Sequence, residues 1–149
     1  MQIRPASLSD VSQIAELYRT LHGTYKDTNA AFDEESIKEF IVSSLETQSA
    51  KIVVAEKDGI ILGLCTFFIF PLFFNKQVNH SSILTLWVDP LARNEGLGNS
   101  LVEEYIRISN INNCTTMSVG IHHTEKGTAR FFENQGFRVM DNVYIKELT

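Results

Sequence analysis

A chain of 149 residues with 44% apolar and 21% charged side chains is long enough to bury one substantial core and too apolar for a disordered segment. Its net charge of −5, with no cluster of lysine or arginine, argues against a nucleic-acid or anionic-membrane partner. Cys65 and Cys114 lie far apart, form no Cys-x-x-Cys pair and follow no signal peptide, which points to a reducing, cytoplasmic setting.

Gln2 to Ala6 reads as a short strand. Ser7 then leads Leu8, Val11, Ile14, Ala15, Leu17, Tyr18 and Leu21, with Asp10 placed as its capping-box partner, so a first helix runs to about Gly23. Residues 24–32 show no period and form a loop. Asp33 caps a second helix whose apolar face is Ile37, Phe40, Ile41, Val42 and Leu45, with Glu34 and Glu35 suited to its first turn. A second strand spans Lys51 to Glu56, and Asp58-Gly59 is the turn signal that joins it to a third.

From Ile60 to Phe74 no residue is charged, and phenylalanines crowd its end. A membrane helix needs about twenty apolar residues, and this run is shorter, carries Gly63 and is broken by Pro71. A strand buried on both faces accounts for residues 60–70. It does not account for Pro71, Leu72, Phe73 and Phe74, which are expected to be buried in a pocket wall or a subunit contact, possible in a homodimer.

The stretch Leu84 to Leu101 reads as strand, tight loop, helix. A strand from Ser82 ends near Asp89 because Pro90 cannot donate to a ladder. A helix from Gly96 to about Asn110 follows, its buried face marked by Leu97, Leu101, Val102, Tyr105, Ile106 and Ile108. Its first turn has unpartnered amides and the positive end of the helix dipole, and Gly96, Gly98 and Arg93 suit the close approach of a phosphate. A dinucleotide fingerprint would need glycine where Leu101 stands, and a P-loop would need Gly-Lys-Ser/Thr; neither is present. Thr115 to Ile121 is a fifth strand, followed by His122-His123. A last helix runs from about Thr124 to just before Gly136. Phe137 to Met140 and Val143 to Leu148 are read as two closing strands around the Asp141-Asn142 turn.

Arg93-x-x-Gly96-x-Gly98 after a Val-Asp-Pro strand end resembles the acetyl-coenzyme A signature of the GNAT superfamily of N-acetyltransferases. The segment Thr128 to Phe137, with its Phe131-Phe132 pair and Gly136-Phe137, is similar to the last helix of that family. The resemblance implies a single α/β (α+β) domain over residues 1–149. Its mixed, strongly twisted sheet would have about seven strands flanked by four helices, in the order β-α-α-β-β-β-α-β-α-β-β. It also implies acetyl-CoA as acyl donor. Leu86, Trp87 and Val88 would pair with the pantetheine arm, while Arg93, Asn94, Glu95, Gly96, Leu97, Gly98 and Asn99 would hold the pyrophosphate.

Acetyl transfer to an amine needs a neutral nucleophile, a polarised carbonyl and a proton for the departing thiolate. In the family a tyrosine of the last helix often supplies that proton; here its position is Phe132. The family's frequent asparagine falls on Glu125, and its strand-four carboxylate falls near Leu84 or Thr85. His122 and His123 are candidates to carry a proton, and Thr85 or Ser82 to hold a water, although such side chains more often serve only their neighbours. Asp89 suits a turn better than a base, and Tyr25 and Tyr144 are alternative phenols. No metal is called for. The acceptor is expected to be an amine of a small molecule or a protein. Asp27, Asp33, Glu34 and Glu35 beside Tyr25 and Phe32 would favour a cationic one, unless they simply solvate a helix start. A catalytically silent acyl-coenzyme A binding module is the alternative that Phe132 raises.

Overall fold

The computed structural model describes residues 1–25 and 29–148, so Asp27 lies outside the described residues. These fall into two compact units, Met1–Val119 and Gly120–Thr149. In the first, β1 (Gln2–Pro5), α1 (Val11–His22), α2 (Glu34–Thr47), β2 (Lys51–Lys57), β3 (Ile60–Leu72), β4 (Asn75–Val88), α3 (Leu97–Ile111) and β5 (Cys114–Val119) follow in that order. The sheet order is β1-β2-β3-β4-β5, antiparallel except for the parallel β4–β5 pair, which α3 connects.

Alternation along β2 and β3 assigns the two faces. Ile52, Val54 and Leu64 pack with Ile14, Ala15 and Tyr18 of α1 and Ile41 of α2. The intervening Phe67 turns to the other face, where its ring meets that of Tyr105 on α3 edge-on at 4.8 Å. Gly63 lets α3 come close to the sheet: a Cβ there would lie 3.0 Å from the Trp87 carbonyl oxygen and 3.2 Å from Leu101 Cδ1. Val11, not Ser7, opens α1, because Leu8–Asp10 forms a separate 3-10 turn in which Asp10 reaches back to the Ser7 amide at 2.7 Å.

The charge-free stretch is longer as a strand than the sequence implied. β3 continues to Leu72, with Pro71 still paired opposite Asn79 and the register shifting between Pro71 and Leu72, and β4 starts at Asn75 rather than Ser82. Phe73 and Phe74 are therefore the hairpin tip, 81% and 80% exposed, with ring centroids 3.7 Å apart. They are not buried in a pocket wall.

The second unit contains α4 (Lys126–Asn134), which starts two residues later than expected. The described sheet has five strands, not seven: Phe137 to Leu148 form no ladder. Asp141-Asn142 supplies a turn signal but no partner, and a hairpin alone is at best marginal in water. Val143 and Tyr144 are 93% and 91% exposed.

Candidate active site

β4 carries two different edges. Its antiparallel partner β3 accompanies it as far as Val88, opposite Gly63, whereas β5 accompanies it only from Asn79 to Ile83, opposite Val119. From Leu84 to Val88 the second edge has no ladder partner among the described residues, leaving main-chain donors and acceptors along an open flank. The divergence coincides with a bulge. Thr66 opposes Thr85 and Phe67 opposes Ile83, so Leu84 is the extra residue. Consequently Ile83 shares the α3 face with Phe67, while Thr85 shares the α1 face with Thr66. His80, just upstream, bonds Thr116 through Nδ1 and Ser118 through Nε2, both at 2.8 Å, and the Ser118 hydroxyl donates to Ser82 at 3.1 Å. Ser82 is thus engaged within the sheet, and burial pushes the His80 pKa down.

The open flank runs directly into the turn that leads to α3. Asp89 acts as the turn former expected, its Oδ1 accepting from the Leu91 amide at 2.8 Å to start the 3-10 turn Pro90–Ala92. The chain then enters α3 through Gly96, whose φ of +80° is left-handed and favours glycine. No side chain caps this helix, its first turn holds no carboxylate, and Ser100 is bonded to Gly96 O at 3.1 Å. The amides of Leu97 and Gly98 and the helix dipole are aligned for an anion.

Arg93 is oriented from two sides. Its Nε donates to Val88 O at 3.1 Å and its guanidinium lies 4.8 Å over the Trp87 ring. The buried Trp87 Nε1–H has no hydrogen-bond partner among the described residues. Leu97 is 3% exposed, so it anchors α3 and offers the site only its main chain. Asn94, Glu95 and Asn99 are exposed, and Leu86, Val88 and Gly98 half-buried.

A cavity of about 250 Å³ adjoins the bulge. Tyr18, Leu21, His22 and Tyr25 line it from α1 and its end, Phe32 and Ile37 from the α2 side, and Leu84 and Thr85 from β4. At the cavity the Tyr18 hydroxyl donates to Thr66 Oγ1 at 2.9 Å and also interacts with the Thr85 hydroxyl, while burial raises its pKa. His22 Nε2 is paired with Ala30 O at 2.8 Å. Sequence periodicity placed Tyr18 correctly on the apolar helix face but missed its role as a polar group there. Its signal was a phenol on a buried face together with a threonine, Thr66, inside an apolar strand, two groups that must satisfy each other.

Glu34 pairs with Arg19 at 3.3 Å and Lys38 at 3.4 Å, and Asp33 accepts from Ser36. Together with Glu35, these acidic residues lie at the exposed start of α2 rather than in the cavity.

In the second unit His122 and His123 are exposed with ring centroids 4.5 Å apart, and His122 Nδ1 is 2.7 Å from Thr124 Oγ1. Phe132 is 1% exposed. Its neighbours explain the Gly-Phe signature: Phe137 N bonds Phe132 O at 3.1 Å and Gly136 N bonds Glu133 O at 3.0 Å. These are the two bonds of a Schellman cap, completed by the Phe132–Phe137 ring contact at 5.2 Å.

An open strand edge leads into a helix N-terminus without a side-chain cap on a mixed α/β sheet, an arrangement chemically able to receive an elongated anionic ligand. The acetyltransferase (GNAT) family model matches residues 12–137, and the chain belongs to that family of acyltransferases, whose acyl donor is acetyl-CoA. Solved structures share the fold. An acetyltransferase of Trypanosoma brucei superposes with a TM-score of 0.78 at 21% identity, over 99% of each chain. The ribosomal-protein-alanine N-acetyltransferase of Brucella melitensis gives 0.79 at 14%, over 99% of this chain and 100% of its own. An aminoglycoside acetyltransferase from an uncultured soil metagenomic sample, solved with trehalose, gives 0.78 at 16%, over 99% and 95%. No curated protein matches the sequence closely enough to count as a relative. Among the described residues no helix is long and apolar enough to cross a membrane.

Proposed function

We propose that this chain transfers the acetyl group of acetyl-CoA to a primary amine of a small molecule or a protein, in the cytoplasm. The observation that carries the reading is the continuity of the open β4 edge, Leu84 to Val88, with the uncapped N-terminus of α3. The main chain of Leu86, Trp87 and Val88 holds the pantetheine amides. Arg93, the turn residues Asn94 and Glu95, and the main chain of Gly96, Leu97, Gly98 and Asn99 receive the pyrophosphate. Acetyl-CoA supplies the activated acetyl group: a C–N bond forms as the C–S bond breaks, the amine gives up a proton and the sulfur takes one. The cavity beside Thr85 holds the amine, and the Thr85 and Tyr18 hydroxyls orient it. His122 is the candidate proton carrier, and Phe132 occupies the position of the family's usual tyrosine. The exposed Phe73-Phe74 tip is a surface on which two copies would pair.

Calorimetry with coenzyme A tests the donor site. Gly98→Asp places a carboxylate in the first turn of α3, where the pyrophosphate is held. Binding is expected to weaken by about 3 kcal/mol or more, on the order of 100-fold. A folded variant with unchanged affinity would sink the reading.

A further inference from the structure

We infer that the acceptor is a monoamine carrying a compact aromatic or branched apolar group, not a polycation. The inference rests on the acyl-transfer reading above and concerns what the cavity beside the β4 bulge selects. Leu84 and Thr85 belong both to that cavity and to the open flank of β4, so a ligand seated in the cavity presents one end to the donor edge.

The chemistry of the walls decides the class. Leu21, Ile37, Leu84 and the Phe32 ring offer apolar surface, whereas a hydroxyl pair, Tyr18 and Thr85, lies at the β4 end. Among the described residues no carboxylate lines the cavity. On α2, Glu34 is shared between Arg19 and Lys38. An ammonium held against this apolar lining would be desolvated with no carboxylate among the described lining residues to pair with it. A polyamine or aminoglycoside must bury or crowd several such groups. A monoamine needs only its reactive nitrogen at the hydroxyl pair, where it sheds its charge to act as nucleophile, while its apolar body covers the walls. The volume of about 250 Å³ accommodates one ring and a short chain.

Thiol release should be followed with 2-phenylethylamine and with spermidine as acceptors, alongside calorimetric coenzyme A binding, for wild type and Leu84→Glu. Leu84 is 49% exposed, so the variant keeps its core. Wild type is expected to show at least tenfold higher kcat/KM for 2-phenylethylamine than for spermidine. Leu84→Glu should lower that ratio at least tenfold, mainly through the KM of the aromatic amine. Preference for spermidine, turnover of neither amine by a protein that binds coenzyme A, or an unaltered ratio in the variant overturns the inference while the donor site stands. Loss of coenzyme A binding by wild type overturns the reading beneath it.

Discussion

Asp10 is 4% exposed and charged, which only its partners make tolerable. Arg4 grips its carboxylate with two bonds, at 2.8 and 3.0 Å, and the Ser7 amide and hydroxyl add two more at 2.7 and 3.0 Å. The Arg4 bonds are the main reason the Asp10 pKa falls from 3.8 to about 2, with burial opposing and Ser7 assisting. A depressed folded pKa stabilises the protein above the unfolded value, and that contribution disappears as pH falls from 3.8 through about 2. It amounts to about 2 kcal/mol. Urea midpoints measured between pH 6 and pH 2 should therefore drop more steeply for wild type than for Asp10→Asn. The variant should be weaker by about 2 kcal/mol at pH 6 and level with wild type near pH 2. Parallel pH profiles for the two proteins would show that the Arg4–Asp10 pair contributes nothing through ionisation. At this scale too, buried thiols are legible as inert: burial pushes the Cys65 pKa up to about 12, leaving it protonated at neutral pH.

The contact among β3, β4 and α3 is set by one missing side chain. Gly63→Ala would put a methyl group 3.0 Å from the Trp87 carbonyl and 3.2 Å from Leu101 Cδ1, so either β4 or α3 must move. Destabilisation of about 1–3 kcal/mol is expected from urea unfolding. Because those same two elements carry the proposed donor edge and pyrophosphate turn, coenzyme A affinity should fall as well. Full affinity in a destabilised variant would mean that the site tolerates their displacement. Gly63 stood out in the sequence as a break in an apolar run, but nothing local said what approached it. The strand-turn-helix from Ser82 to Asn110 was legible because Pro90, Gly96 and a helical period punctuate it in order. The bulge at Leu84 was not, since an extra residue in β4 is defined only by the register against Thr66 and Phe67. Nor was the hairpin tip: Pro71 reads as a stop until its register shift shows the strand passing through it. The closing strands failed for the converse reason, as Phe137 to Leu148 have a strand pattern whose stability depends on a partner that sequence does not name.

A protein of net charge −5 that binds an anionic coenzyme must rely on local field rather than overall charge. In the proposed site that field would come from the α3 amides and from Arg93, whose placement over Trp87 and against Val88 O fixes its direction before any ligand arrives. Binding to the folded chain alone stabilises the whole fold by mass action, about 2.7 kcal/mol when coenzyme A is present at 100 times its Kd. For a domain of this size that corresponds to a rise in Tm of about 5–10 °C. Arg93→Ala removes the preset charge without touching the core, since Arg93 is exposed. Its Tm without ligand should fall by no more than about 2–4 °C, since only the Val88 O bond and the Trp87 contact of an exposed side chain are lost, and its shift at the same coenzyme A concentration should be clearly smaller. Phe73→Ser with Phe74→Ser, at the exposed hairpin tip, should retain the full shift. If Arg93→Ala shifts as far as wild type, the pyrophosphate is held elsewhere, and the turn between β4 and α3 serves only to connect them.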